Sequence, residues 1–486
     1  MAQGLPTIKI FITLNFEGTK ATSLHVRLGI QEPNTTVNGT LVSLYLSQPL
    51  ATTQNYDSRD IEASDASGKL TLSQQDDDDY RHYIAARPTK GDVVLSFTAR
   101  PKLNPGKEEF YHMGAENDGK AIFGPGSGFL PMPKGGNYTF NLDWDLSKAP
   151  NGTRAVWSLG EGPSVTVAGP PRLVSESYFA VGRMQSFPPA GTSSNFTTYW
   201  FDDPPEDFNI TETAIFTQKV FDHMREFFRD HDDTYRVFYR KSPPNQSTGA
   251  AANTRSFMFP LQDGNMDPKQ TQAIVSHELV HNWVVASDTD GNNTSVEWYV
   301  EGAADFYSAR LLFRYGMHTA DQFLDQMNEF ARDYYANPLI NTNLEQGGDS
   351  EDWDFIHLPY QRGNMFLVRM DTLIRNKSNG TRSIDNVVQA LLDRSRAQQG
   401  DRIEDILDLL VKEVGPEARA EFEDMYRGKT LVMPENSLGA GFTVEQVQIP
   451  RGDCSLATID LCGPPVMITA YQWKRKSGVS NESCLI

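Results

Sequence analysis

Basic residues are scarce in this sequence. Lys and Arg number 44 against 63 Asp and Glu, which leaves a formal charge of −19 and a pI near 4.9. A chain this acidic offers no basic stripe to meet phosphates, so a nucleic-acid partner is excluded. Long hydrophobic runs are missing as well. No apolar stretch reaches the roughly 18 residues that a membrane-spanning helix needs. Cysteine is nearly absent. Of the three, Cys454 and Cys462 are near enough to close a small loop in an oxidising compartment, with Cys484 left over, and none has the spacing of a zinc knuckle. The terminal Ser483-Cys484-Leu485-Ile486 is not a prenylation box, because its cysteine is third from the end. The opening Met1-Ala2-Gln3-Gly4-Leu5-Pro6-Thr7 has neither a basic start nor an apolar core, and does not read as a signal peptide.

Glycosylation sequons, by contrast, are abundant. Asn-x-Ser/Thr begins at Asn34, Asn38, Asn137, Asn151, Asn195, Asn209, Asn245, Asn292, Asn293, Asn376, Asn379 and Asn481. Ordinary composition gives roughly three or four such sites by chance. The excess points to the secretory pathway or the extracellular space, with a leader outside this sequence. A cytoplasmic protein with an Asn- and Thr-rich surface is the alternative.

At 486 residues the chain has room for two to four domains. Hydrophobic residues at 39% and charged residues at 22% are ordinary for a soluble globular protein. From Thr7 to about Leu159 the pattern is β. Residues 8–14 and 24–28 alternate as half-buried strands do, and 92–97 and 138–142 follow suit between Gly- and Pro-rich turns. Gly160-Glu161-Gly162-Pro163 and Gly169-Pro170-Pro171 mark a boundary. Beyond it a strand at 178–181 precedes a helix capped by Thr211, and strands at 235–239 and 256–259 follow. From about Thr319 to Met425 apolar residues recur at helical spacing, in segments 321–335, 363–376, 384–394 and 402–414. After Gly428 the chain reads as an irregular tail.

The chemistry gathers at His277-Glu278-Leu279-Val280-His281. Residues four apart share one face of a helix, so His277 and His281 can hold one metal ion together. Imidazole pairs of this kind suit zinc, which in a catalytic site takes a third protein ligand and leaves a position for water. Glu278 stands next to the first ligand, where its carboxylate can take a proton from that water. Two histidines packed in a core are the plain alternative. Glu301 opens Glu301-Gly302-Ala303-Ala304-Asp305 and can reach back as the third ligand, with Glu297 as a rival. Asp305, one turn on, can accept the free ring N–H of a ligand histidine and fix its tautomer. A solvated helix carboxylate is the bland reading of Asp305.

These residues resemble the gluzincin metallopeptidases, the group of thermolysin and the zinc aminopeptidases. The detail is most similar to the glycyl aminopeptidase family: Trp283 two residues after His281, Glu301-Gly302, then Tyr360-Gln361-Arg362-Gly363 ahead of Leu373-Ile374-Arg375. The resemblance implies a thermolysin-like catalytic domain with one Zn2+ per chain, a peptide or protein substrate, and Tyr360 as stabiliser of the oxyanion, a task suited to a phenol donor. It also implies that Gly249, Ala250, Ala251 and Ala252 line the substrate, with Ala252 where the aminopeptidases of the group carry the Glu that binds the substrate's free amine. The loop from His281 to Glu301 is one residue longer than in those relatives. The 58 residues after Gly428 are too few and too irregular for the PDZ domain that many relatives carry.

The expected protein is therefore α+β and multidomain. An N-terminal β-sandwich-type domain spans 1–172, the catalytic domain 173–330, a C-terminal α-helical domain 331–428 and a tail 429–486. The expected activity is aminopeptidase-like zinc-dependent hydrolysis. The alternatives are an endopeptidase, since Ala252 replaces the amine-binding Glu, and an inactive zinc-binding homologue that serves as a binding module.

Overall fold

The computed structural model describes the chain except residues 1–3, 19, 49–50, 102–113, 117–120, 202, 231–233, 242–249, 263, 265, 288–293, 348–351, 452–465 and 481–486. Gly249, the three cysteines and four of the sequon asparagines (Asn245, Asn292, Asn293 and Asn481) lie outside the described residues. The architecture is mixed α+β, strand-rich in the N-terminal part and helical in the C-terminal part. The chain divides into two compact units, one of residues 1–218 with 232–275 and one of residues 219–231 with 276–486.

The first unit is built on a seven-stranded sheet. Thr7–Glu17 lies inside it, next to the central strand Lys20–Ile30, to which it is antiparallel, and parallel to Tyr138–Asp145. Alternation puts Ile8, Ile10, Ile12 and Leu14 on the buried face. They share a core with Val42, Leu44 and Tyr83 of a three-stranded sheet and with Ile122, Trp157 and Phe179 of a five-stranded one. This is the strand-rich domain expected from the pattern. A further five-stranded sheet carries Phe196–Trp200, Tyr235–Lys241 and Ser256–Leu261 as parallel central strands. Near-continuous apolar runs such as Val237-Phe238-Tyr239 fit strands buried on both faces. Ala251–Asn253 closes one edge, antiparallel to Ser256–Leu261. The helix Ile210–Phe227 is capped by Asn209, whose Oδ1 accepts from the Glu212 N–H at 3.1 Å. Thr211, the expected cap, lies inside the first turn, because Asn209 already satisfies the free backbone donor.

In the second unit two helices lie side by side. The ligand helix, Thr294–Arg314, carries Glu301 and Asp305, and the tyrosine helix, Leu358–Lys377, carries Tyr360. They touch backbone to backbone through Gly302 and Gly363. A Cβ on Gly363 would stand 1.7 Å from the Trp298 carbonyl oxygen, and one on Gly302 would stand 2.5 Å from Gly363. Further along, Arg310 Nη1 donates to Asp371 Oδ2 at 3.0 Å, with both side chains buried. Arg314 and the Tyr307 hydroxyl both donate to Asp385, at the start of the helix Ile384–Arg396. The tyrosine helix begins five residues before the sequence pattern suggests. Pro359 and Gly363 read as breakers, yet proline is tolerated in a first turn and the glycine is there for close approach.

The expected irregular tail is a correction. Phe442–Pro450 and Met467–Arg475 pair as a regular antiparallel ladder, Phe442 opposite Arg475 and Ile449 opposite Ile468. The ladder docks through Trp473, which is buried and whose indole N–H donates to Ser437 Oγ at 2.8 Å. The Trp473 backbone exchanges two hydrogen bonds with the side chain of Asn328 on the helix Ala320–Ala336. Long-range anchoring of this kind leaves no mark on local periodicity.

Replacing Gly363 by Ala forces the two helices apart. Overpacking of a rigid backbone contact costs about 3 kcal/mol. We expect Gly363→Ala to lower the thermal midpoint by several degrees in a melting experiment, whereas Gly380→Ala, with nothing within 4 Å of its Cβ, should lower it less, through its positive φ alone.

Candidate metal centre

The motif helix runs Pro268–Val280, with Asp267 accepting from the Lys269 N–H at 2.7 Å as its cap. His277 and Glu278 lie in its last turn. His281 stands just past the α-helical end, where the bonds tighten: Asn282 N–H reaches Leu279 O and Trp283 N–H reaches Val280 O. What holds that closing turn is Trp283. Its ring is buried between Phe221 and Phe228, at 5.7 and 5.1 Å, and its N–H donates to Asp230 Oδ2 at 2.7 Å. Asp230 is distant in sequence, and nothing local singles it out.

Three donor atoms converge. His277 Nε2 and His281 Nε2 are 3.1 Å apart, and Glu301 Oε2 is 3.2 Å from the first and 3.3 Å from the second. Among the described residues this is the group able to hold a metal ion. Glu297, the rival ligand, is not part of it. Three ligands of a tetrahedral ion, each about 2.0–2.1 Å from it, stand about 3.3 Å from one another. The triangle matches that geometry within a few tenths of an ångström.

Protonation supports the same fit. Asp305 Oδ1 lies 2.8 Å from His277 Nδ1, so a ring N–H is held there, and Nε2 is left to give its lone pair to a cation that takes the proton's place among the donors. Lone pairs so placed repel unless a cation lies among them. Burial opposes the charged form of His277, but the hydrogen bonds to Asp305 and Glu301 outweigh it and hold its pKa well above the ordinary value. Burial likewise pushes Glu301 up, and the two histidines more than reverse this, holding its carboxyl well below the usual range. Both directions have one cause, the mutual attraction of the imidazoles and the carboxylates, and fit a site that takes positive charge.

Glu278 is buried, and burial pushes its carboxyl up, with His277 and His281 pulling the other way. A raised carboxylate next to a metal site has the properties of a base that later becomes an acid. The Tyr360 ring stacks on His277, with centroids 5.9 Å apart and planes 11° from parallel. Burial and then the charges of Glu301, Glu278, Asp305 and Glu297 push its phenol well above the ordinary value. It therefore stays a neutral O–H donor. Of the expected substrate-lining residues, Ala251 and Ala252 sit on the edge strand of the first unit, opposite Met258 and Phe257, and Ala252 is exposed. The pair Gly302 and Gly363 was not singled out as functional. Its signal was a glycine one residue after the ligand Glu and another three after the Tyr.

Residues 270–346 match the model of the M61 glycyl aminopeptidase family. No curated protein matches the chain. Among solved structures, an aminopeptidase N family protein from Idiomarina loihiensis aligns with a TM-score of 0.66 at 13% identity, over 92% of this chain and 81% of that one. An M1 zinc metallopeptidase from Deinococcus radiodurans, a mutant bound to a Tyr-Ser-Ala substrate, aligns at 0.54 and 16% identity, over 88% and 95%. Leukotriene A4 hydrolase of Saccharomyces cerevisiae aligns at 0.57 and 14% identity, over 88% and 68%. At these identities the likeness shows the fold. Family match and fold together bear out the resemblance to the gluzincin aminopeptidases and support a hydrolase.

Loss of the Asp305 carboxylate frees the His277 ring to rotate and lets its tautomer change. Such partners are worth about 10- to 100-fold in metal affinity. We expect Asp305→Ala to bind zinc about that much more weakly in a chelator competition, while the fold, followed by far-UV circular dichroism, is retained.

Proposed function

We propose that the chain is a zinc aminopeptidase, hydrolysing the first peptide bond of a substrate with a free N-terminus. The observation that carries this is the donor triangle of His277, His281 and Glu301, with Asp305 fixing the His277 tautomer. One Zn2+ per chain fits it. When bound, the ion polarises the scissile carbonyl and lowers the pKa of its water. The remaining work falls to the chain's own residues. Glu278 takes the proton from the attacking water and delivers it to the leaving amine. Tyr360 donates its O–H to the oxygen on which negative charge develops.

A second reading is an endopeptidase. Ala252 brings no carboxylate where the related aminopeptidases bind the amine. Matched peptides, free and N-acetylated, separate the two. We expect the free peptide alone to be cleaved, and cleavage to stop with a zinc chelator. Equal cleavage of the acetylated peptide makes the enzyme an endopeptidase.

General-base removal typically costs about 10²- to 10⁴-fold in rate. Glu278→Gln is therefore expected to lose about 10³-fold in kcat with zinc still bound by atomic absorption. A Gln variant that keeps most of its activity contradicts the mechanism.

We also infer passage through the secretory pathway. The support is the sequon excess, together with the exposure of all eight sequon asparagines among the described residues. Expression through a secretory leader should give a product whose mass falls on glycosidase treatment, and an unmodified mass would contradict this.

A further inference from the structure

The chain holds seven tryptophans, and six are buried. Trp353 is the exception, at 58% exposed. A single exposed aromatic needs no explanation by itself. This one ends a row of rings that begins at the metal centre. The Tyr360 ring stacks on His277, with centroids 5.9 Å apart. The His357 ring follows Tyr360, again at 5.9 Å. The Trp353 ring stacks on His357, at 5.5 Å and 23° from parallel. Spacings of four and three residues produce the row. Trp353–Ile356 is a helical turn that leads through His357 into the tyrosine helix, so residues 353, 357 and 360 share one face.

The turn that carries Trp353 is held from its other side. Phe355 and Leu358 are buried. Asn337, at the end of the helix Ala320–Ala336, donates to the Asp354 carbonyl and to Gln361 Oε1, both at 2.8 Å. Asp352 Oδ1 caps the turn by accepting from the Asp354 N–H at 3.0 Å. The His357 ring is fixed as well, because its Nδ1–H donates to the Trp353 carbonyl at 2.9 Å. Rings held in this way lose little freedom when a ligand covers them, and a flat apolar surface left in water gains by being covered.

Distance selects what covers it. Seven residues of helix rise about 10 Å between Trp353 and Tyr360. The substrate residue whose carbonyl oxygen meets the Tyr360 hydroxyl falls short of Trp353 with its own side chain. An extended peptide advances about 3.3–3.6 Å per residue, so the second or third residue past the cleaved bond comes level with the indole.

We propose that Trp353, backed by His357, is a stacking platform for an aromatic side chain at the third or fourth position of the peptide substrate. The inference rests on the aminopeptidase reading above, which makes the first bond the one cleaved.

The test uses the full-length, zinc-loaded Glu278→Gln variant, in which binding is read without turnover. Pentaalanine, and the same peptide with Phe at its third or its fourth position, are titrated calorimetrically. Aromatic pairs are worth about 2- to 10-fold in affinity. The expected result is that one Phe peptide or both bind that much tighter than pentaalanine. Adding Trp353→Ala should abolish the preference, and Trp353→Phe in its place should restore part of it. A general disturbance of the metal centre would instead weaken all three peptides alike. Equal binding of the three peptides to the Gln variant overturns the proposal, as does a preference that survives Trp353→Ala. Failure of the aminopeptidase reading itself is seen separately, as absence of chelator-sensitive hydrolysis of free peptides by the wild-type chain.

Discussion

Three electron-pair donors held within 3.1–3.3 Å of one another repel unless positive charge lies among them. A chain folds this way when its framework is rigid enough to hold the donors, and when a cation repays the strain on binding. Around His277, His281 and Glu301 every support has that character. Asp305 fixes one tautomer, Trp283 closes the turn that bears the second imidazole, and the ligand helix sets the carboxylate. The first two act through directed hydrogen bonds, part-buried at Asp305 and buried at Trp283. Loosening any one lets the donors drift apart and lowers the affinity for metal.

The glycine contact links this centre to the residue expected to handle the oxyanion. Gly302 adjoins Glu301, and Gly363 lies one turn from Tyr360. With no Cβ between them the helices approach closely, which allows the Tyr360 ring to stack on His277. The buried pair of Arg310 and Asp371 then fixes the same two helices two turns further on. Two anchors on parallel stretches of helix restrict sliding as well as separation.

Much of the centre was legible because its geometry is local. His277, Glu278 and His281 sit within five residues, and Glu301 and Asp305 within another five, so helical periodicity alone puts them on shared faces. Tyr360 is different. It meets His277 only through tertiary packing, and without the family resemblance nothing distinguishes it from the other tyrosines. Asp230 was not legible at all, since its bond to Trp283 spans 53 residues. The same limit explains the C-terminal ladder. Its two strands are separated by a long connection, and what orders them is the burial of Trp473 and the Asn328 bonds. The β pattern at the N-terminus was plain because Ile8, Ile10, Ile12 and Leu14 alternate without interruption.

X-ray absorption at the zinc edge of the purified, loaded protein tests the donor triangle most directly. The account expects about one zinc per chain, a shell of nitrogen and oxygen near 2.0–2.1 Å with two imidazoles and no sulfur, and one imidazole fewer in His281→Ala. A sulfur shell near 2.3 Å, or an imidazole count that His281→Ala leaves unchanged, would contradict it.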